Sequence, residues 1–383
     1  MNKLRLLELF GGIGACSSAL TRLGIEYEIV DYVEIDKYAV KSYNAIHGTD
    51  FKPQDIKTWD KDIQVDLIMH GSPCQDFSIA GNQMGGDKDS GTRSSLMYET
   101  IRIVEQLKPK YVIWENVKNL LSDKHRHNFD VYLNKMEELG YNNYYQVLNA
   151  RNYGIPQNRE RVFTISIRKD INKTFAFPQK QELTLKLKDM LEEDVDKKYY
   201  LSKAMLDYLS GVNQKTSNFP RGKRFVSNIT RKNQDVANTI LTTAGQRVTD
   251  NFIITPNTYT HCDDNTEFNV YRQKQECIDT GYSEESIKRI RNNIIKGDII
   301  NTLTANAMQS VNHNNCALIK EDDSTLQIRK LTPKECWRLM GFTDEEFEKA
   351  SQVNSNAQLY KQAGNSIVVN VLVNILNNLL KGD

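Results

Sequence analysis

Two residues capable of covalent chemistry follow short apolar runs in this chain. Cys74 stands in Ser72-Pro73-Cys74, soon after a run that ends at His70, and Glu115 follows the run at residues 111–114. A thiolate is a strong nucleophile, and a glutamate enclosed in a cleft tends to keep its proton. The pair therefore predicts thiolate attack on an electron-poor ring, with the acid neutralising the charge that develops. Either residue alone is a weak signal, because most cysteines only fill space in a core.

Two arginines form a second group with chemical potential. Gln157, Arg159 and Arg161 alternate just before the apolar run at residues 162–167. Alternation along a strand predicts that the three side chains share one face. Paired guanidinium groups suit a base carbonyl or phosphates, although a charged edge strand explains the same pattern.

A glycine-rich turn and an acid predict a nucleoside site. Phe10-Gly11-Gly12-Ile13-Gly14 ends the first apolar run, and Glu34-Ile35-Asp36 ends the second. Glycines let the backbone approach a ligand, and an acid at the end of the second strand is placed to accept hydrogen bonds from ribose hydroxyls. A tight turn and a solvated acid explain each motif singly, so the prediction depends on the two together.

The elements that must position these residues alternate between strand and helix patterns. Strands are predicted at residues 4–10, 28–35, 65–70, 111–115, 144–148 and 161–167, and helices at residues 15–23, 37–46, 95–107 and 128–139. This alternation predicts an α/β fold, a doubly wound and mostly parallel sheet with ligands beyond the carboxyl ends of its strands. An apolar-periodic helix at residues 366–380 is predicted to pack back on this lobe.

Composition divides the chain into two domains. Residues 171–325 are richer in Asn, Thr, Lys and Asp and have weak periodicity. We therefore predict a large domain from residues 1–170 and 326–383, and a smaller, irregular, β-rich domain from residues 171–325. The smaller domain holds a basic cluster without an acid at residues 221–232, which indicates either phosphate contacts or a solvated loop.

Bulk properties exclude several classes of protein. The 383 residues are 39% hydrophobic and 26% charged, with a net charge of +1, which is typical of a globular protein and gives no nucleic-acid signal by itself. No 18-residue apolar stretch or signal peptide is evident, so no membrane span is predicted. The six cysteines include no C-x-x-C pair, which predicts no metal site and reduced thiols in the cytoplasm.

In order, these motifs resemble the C5-cytosine DNA methyltransferase family of bacteria and phages. The resemblance covers residues 1–170 and 326–383. The matching segments are residues 10–14, Glu34, Asp55-Ile56, Pro73-Cys74-Gln75, residues 91–94, Glu115-Asn116-Val117, Gln157-x-Arg159-x-Arg161, residues 329–342 and Gln362-x-Gly364-Asn365-Ser366.

The resemblance implies a Rossmann-like, S-adenosylmethionine-dependent enzyme that methylates C5 of a flipped cytosine in duplex DNA through a Cys74–C6 bond, releasing S-adenosylhomocysteine. The implied catalytic set is Cys74, Glu115, Arg159 and Arg161. The implied cofactor shell is Phe10, Gly12, Gly14, Glu34, Ile35, Asp55, Ile56, Pro73, Leu96, Asn365 and Ser366. Contacts to DNA are expected from Gln75, Ser78, Arg93, Gln157, Arg221, Lys223, Arg224, Thr302 and Leu303.

Double-stranded DNA is then the expected partner of a monomeric protein, and a cognate restriction endonuclease encoded nearby is left open. Three alternatives share part of this pattern. A tRNA cytosine methyltransferase shares the catalytic lobe, but its typical Cys-Phe-Thr element is absent. A catalytically dead DNA-binding module needs a broken Cys74 or Glu115, and a cytidylate modifier has no use for a recognition domain.

Overall fold

The computed structural model describes residues 3–73, 96–200, 229–231, 236–240, 252–255 and 327–381. The chain divides into two compact units. The first unit comprises Met1–Leu191, Asp235–Thr243 and Pro333–Asp383, and the second comprises Glu192–Gln234 and Ala244–Thr332. The first unit thus extends past residue 170, where the change in composition had placed the boundary.

A six-stranded sheet forms the centre of the first unit. Its strands are β1 (Leu4–Leu9), β2 (Tyr27–Val33), β3 (Leu67–His70), β4 (Tyr111–Val117), β5 (Tyr141–Asn149) and β7 (Glu160–Arg168), in the order β2-β1-β3-β4-β7-β5. Strands β1 to β4 pair in parallel, whereas β7 runs antiparallel to both β4 and β5. The predicted α/β fold with a mostly parallel sheet is confirmed, and the two antiparallel pairings both involve β7.

Helices cover both faces of this sheet. Successive side chains of a strand point to opposite faces, so neighbouring residues of β1 contact different helices. On one face, Leu7 and Leu9 join a buried cluster with residues of the third and fourth helices. On the other face, Glu8 accepts a hydrogen bond from Ser17 in the first helix at 2.6 Å. The four helices are α1 (Ala15–Arg22), α2 (Lys37–His47), α3 (Met97–Leu107) and α4 (Arg126–Glu138).

The C-terminal segment adds four helices to the same unit: α5 (Pro333–Leu339), α6 (Asp344–Ser351), α7 (Asn356–Asn365) and α8 (Val369–Leu380). The helix predicted from residue 366 begins at Val369, because Ser366 and Val368 have extended backbones. By length and composition alone, the stretch Asn356–Leu380 is long and apolar enough to cross a membrane. This break and the buried apolar face of α8 are typical of core helices instead.

Short strands complete the described part of the chain. In the first unit, β6 (Gln157–Asn158) pairs in parallel with β9 (Ala237–Asn238). In the second unit, β8 (Ile229–Arg231), β10 (Phe252–Thr255) and β11 (Gln327–Lys330) form a three-stranded sheet with β10 in the centre.

Candidate active site

Glu115 and Arg161 lie side by side at the ends of two paired strands. The β4–β7 register sets Glu115 opposite Phe163 and Val117 opposite Arg161, so the acid and the guanidinium are diagonal neighbours on one face. Arg161 Nε is 3.0 Å from Glu115 Oε1. This contact is an ion pair without hydrogen-bond alignment, since Oε1 has no hydrogen-bond partner among the described residues.

Opposing influences set the acidity of Glu115. Burial raises the pKa of this carboxyl, and the charges of Arg161 and Arg159 lower it, with a net rise above the ordinary value. The residue is almost enclosed, at 9% exposure. A buried acid of raised pKa is suited to giving a proton to a ring nitrogen and taking it back.

Arg159 ties the site to the C-terminal segment. Its Nη1 donates to the carbonyl of Ile240 at 3.0 Å, and its Nη2 donates to the carbonyls of Gly364 and Ser366 at 3.1 and 2.9 Å. Arg159 is 4% exposed, and its charge also acts on Glu115. Arg159 thus contributes charge to the site while fixing the C-terminal end of α7 and Ser366 after it.

Gln157 lies in the interior near Arg159, since both side chains bind the backbone of Ile240. It lies in β6, which pairs with β9 instead of continuing β7. Its amide donates to the carbonyl of Leu339 at 2.7 Å and accepts from the Ile240 N–H at 2.9 Å, and the residue has no exposed surface. Gln157 therefore supports the site from the interior, and its expected contact with DNA stays a prediction.

The residues that lead into Cys74 are anchored on β4. Ser72 accepts hydrogen bonds from Trp114 Nε1 at 3.0 Å and, at its carbonyl, from Asn116 Nδ2 at 3.4 Å. A methyl group added at Gly71 would lie 3.8 Å from Glu115 Oε2. The chain therefore passes beside Glu115 just before Cys74. Of the site residues predicted at or near the nucleophile, four lie outside the described residues: Cys74, Gln75, Ser78 and Arg93.

The glycine turn and the acid meet at the ends of β1 and β2. Gly12 and Gly14 have φ of +56° and +82°, a region that favours glycine, and a side chain at Gly14 would collide with His47. Glu34 accepts hydrogen bonds from the Gly12 N–H at 3.2 Å and from the Asp36 N–H at 2.9 Å. Burial raises the pKa of Glu34, against the lowering effect of these donors.

A third segment joins this acid. The Gln54 N–H donates to the carbonyl of Glu34 at 2.8 Å, which brings Asp55 and Ile56 to the end of β2. Ile56 is buried in the core cluster, whereas Asp55 is exposed. Ile35 is an unusually exposed apolar side chain, at 68%.

The remaining predicted cofactor residues lie on the borders of these elements. Phe10 and Leu96 are half-buried and pack against the core cluster, and Pro73 is half-buried. Ser366 is buried next to exposed Asn365. The ion pair between Lys361 and Asp36, 2.6 Å long, draws the end of α7 toward the acid-bearing end of β2.

These residues fit a nucleoside cofactor. A side chain at Gly12 would meet nothing within 4 Å, so this turn offers open space beside a fixed carboxylate. An exposed apolar residue, Ile35, follows that carboxylate and suits the face of a purine. Among the described residues, no cluster of three His, Cys, Asp or Glu side chains is arranged to hold a metal ion.

Sequence reasoning missed the residues that support the site. Trp114 and Ser72 look like ordinary strand and turn residues, and their hydrogen bond depends on the pairing of β3 with β4. Asp31 carried no signal either, since its partners lie more than twenty residues away along the chain.

Comparison with known proteins decides the family. The C-5 cytosine-specific DNA methylase family matches residues 4–381. The chain belongs to this family. It is therefore a DNA (cytosine-5-)-methyltransferase, of an S-adenosylmethionine-dependent class.

Relatives of this methyltransferase come from bacteria and phages. It is 33% identical to the type II methyltransferase M2.ScrFI of Lactococcus lactis subsp. cremoris, over 99% of both chains. It is 31% identical to the orphan methyltransferase M.SPRI of Bacillus phage SPR, over 99% of this chain and 98% of that one.

Solved structures show the same fold as the methyltransferase. Spodoptera frugiperda DNMT2, in a triple-mutant form, matches with a TM-score of 0.63 and 20% identity over 98% of this chain and 99% of that one. Entamoeba histolytica EhMeth matches with a TM-score of 0.66 and 15% identity over 100% and 99% of the two chains.

Proposed function

We propose that this enzyme methylates C5 of a cytosine within a specific sequence of duplex DNA, through a covalent bond between Cys74 and C6. The observation that carries the proposal is the environment of Glu115. A buried acid of raised pKa, paired with Arg161 at 3.0 Å, lies beside the anchored residues that lead into Cys74. This chemistry requires an acid and a nucleophile that act on the same cytosine ring.

The reaction starts when the Cys74 thiolate adds to C6 of the cytosine. Electron density then moves onto the ring, and Glu115, protonated and aimed at N3, stabilises it by donating a hydrogen bond or the proton itself. C5 becomes nucleophilic and takes up the methyl group. A base then removes the C5 proton, the C6–S bond breaks, the thiolate is restored, and the proton returns to Glu115.

S-adenosylmethionine supplies, when bound, an electrophilic methyl group and leaves as S-adenosylhomocysteine. The residues proposed to hold it are the Phe10, Gly12 and Gly14 turn, Glu34 and Ile35. They are joined by Asp55, Ile56, Pro73, Leu96, Asn365 and Ser366. Hydrogen bonds from two backbone N–H groups fix Glu34, so its free lone pairs can accept hydrogen bonds from ribose hydroxyls without rearrangement.

Arg161 is proposed to act on both the acid and the base. Its guanidinium holds Glu115 through Nε, while Nη1 donates to the Glu160 carbonyl at 2.8 Å. Such a fixed guanidinium can donate to the cytosine carbonyl as charge develops there. Arg159 is proposed to contribute only its charge, since its Nη1 and Nη2 atoms donate to three backbone carbonyls.

A stacked cytosine cannot enter a cleft, so the base must rotate out of the duplex. We propose that residues 171–325 read the DNA sequence and offset this cost, with contacts from the basic residues Arg221, Lys223 and Arg224 and from Thr302 and Leu303. All five lie outside the described residues. Gln75, Ser78 and Arg93 are proposed to contact DNA beside the nucleophile. We expect a monomer that acts in the cytoplasm, and a cognate endonuclease is not required for this activity.

The direct test is transfer of a labelled methyl group to duplex DNA, single-stranded DNA and a tRNA transcript in parallel. We expect duplex DNA to be labelled, with methylation-sensitive sequencing of a co-expressed plasmid showing one short motif. Label on tRNA alone would assign the enzyme to RNA, and methylation without a motif would remove the recognition role from residues 171–325.

A further inference from the structure

Asp31 collects three donors from a single stretch of chain. It lies in β2, three residues before Glu34, and is 2% exposed. Gln54 Nε2 donates to its Oδ1 at 3.0 Å, while Trp59 Nε1 and Lys61 Nζ both lie 2.7 Å from its Oδ2. All three partners belong to residues 54–61.

Residues 54–61 need such support, because they form neither helix nor strand. In addition, Arg102 Nη2 donates to the carbonyls of Ile56 and Trp59 at 3.1 and 2.9 Å. Arg102 is itself held by Glu99 at 2.9 Å. The segment is thus fixed between β2 and α3 by side chains, rather than by a backbone ladder.

The carboxylate form of Asp31 is the one that fits these donors. Burial alone would raise its pKa, but hydrogen bonds from Lys61, Trp59 and Gln54 lower it overall. An ionised carboxylate has four lone pairs on two oxygens and can accept all three donors at once.

We propose that Asp31 is a positioning residue for the cofactor. By holding residues 54–61, it sets Asp55 and Ile56 against Glu34 and so raises the affinity for the nucleoside half of S-adenosylmethionine without touching it. This inference rests on the proposed cofactor site. In this role Asp31 contributes to cofactor affinity, and not only to stability as an ordinary buried ion pair does.

The test is the binding of S-adenosylhomocysteine to Asp31→Asn, measured by calorimetry without turnover. The substitution replaces one acceptor oxygen with an NH2 group that faces other donors. We expect Kd to rise about tenfold, on the scale of a lost charged hydrogen bond. KM for S-adenosylmethionine should rise with it, while kcat at saturation and KM for DNA stay within about twofold.

Asp66→Asn is the matched control. Asp66 is 5% exposed and binds two cations, Arg5 and Lys110, but it precedes β3 at the end of the sheet opposite the site. This variant should lose thermal stability and keep the wild-type Kd. Lys61→Met, which leaves the Trp59 and Gln54 contacts in place, should raise Kd by about threefold and serves if Asp31→Asn does not fold.

An unchanged Kd in a folded Asp31→Asn protein, or an equal loss of affinity in Asp66→Asn, would overturn the positioning role. If Asp31→Asn does not fold, an unchanged Kd in Lys61→Met would overturn it. Wild-type protein that binds neither S-adenosylmethionine nor S-adenosylhomocysteine would overturn the proposed cofactor site together with this inference. The wild-type titration therefore separates the two failures.

Discussion

Arg161 reaches Glu115 diagonally across two antiparallel strands and holds Nε 3.0 Å from Oε1. The pair balances two opposed demands on the acid. Burial raises the pKa of Glu115 and favours its neutral form, whereas the charge of Arg161 lowers this pKa and so limits the rise. An acid tuned in this way can both give and recover a proton during one turnover.

Glu115→Gln should lower the single-turnover methylation rate by roughly two to four orders of magnitude, the usual scale for acid–base catalysis. An amide can hydrogen-bond to a ring nitrogen but cannot protonate it. Glu160→Gln is the control, because Glu160 is exposed and pairs with Lys118 at 3.0 Å. An unchanged rate in Glu115→Gln would remove this acid from the mechanism.

Arg161→Met should move the pH profile of the single-turnover rate. The active form of Glu115 is protonated, so the rate falls as pH rises through its folded pKa. Arg161 lowers that pKa, and its loss should shift this falling limb to higher pH, besides lowering the rate at every pH. Lys118→Met, at an exposed residue, should leave the limb in place. A shift of the limb toward lower pH would contradict the pairing.

Much of the fold was predictable because its signals are local. Largely apolar segments of four to seven residues mark β1 to β4. Asp36 begins α2 as expected of an N-cap, with its side chain accepting a hydrogen bond from the Tyr38 N–H. The α/β class follows from this alternation. Pairing order is not local, so the antiparallel insertion of β7 between β4 and β5 could not be derived from the sequence.

The candidate site was predictable as a set of residues but not as a set of contacts. Alternation placed Gln157 with Arg159 and Arg161, yet pairing of β6 with β9 turns it into the interior. The helix α7 was missed because residues 356–365 are mostly polar, and its apolar side chains are buried only by neighbouring helices. Such tertiary burial leaves little periodic signal.

Buried histidines should make stability sensitive to acid. Burial lowers the pKa of His47 to about 4 and that of His70 to about 3. Unfolding then takes up protons as pH falls below 6.5, so stability is full above that pH and is lost toward pH 4. His47→Gln should reduce the loss in urea midpoint between about pH 7.5 and about pH 5. An equal loss in both proteins would exclude His47 as a cause.

Replacing Arg221, Lys223 and Arg224 together by Ala should weaken DNA binding and flatten its salt dependence. Each lost phosphate contact reduces the slope of log K against log salt by about 0.9. Affinity for S-adenosylmethionine should not change. The control replaces three exposed lysines of the first unit, Lys52, Lys135 and Lys169. A slope equal to that of the wild type would show that the cluster does not touch DNA.

The central claim is that Cys74 bonds to C6 of the target cytosine, and trapping that bond tests it most directly. DNA carrying 5-fluorocytosine at the methylated position should form a covalent complex that survives denaturation, because fluorine at C5 blocks the proton removal that releases the enzyme. Wild type and Cys16→Ala, altered only at a buried packing residue, should form it. Cys74→Ser should form none while still binding S-adenosylmethionine. A covalent complex with Cys74→Ser would contradict the account. So would the absence of a complex between the wild type and its recognition motif carrying 5-fluorocytosine.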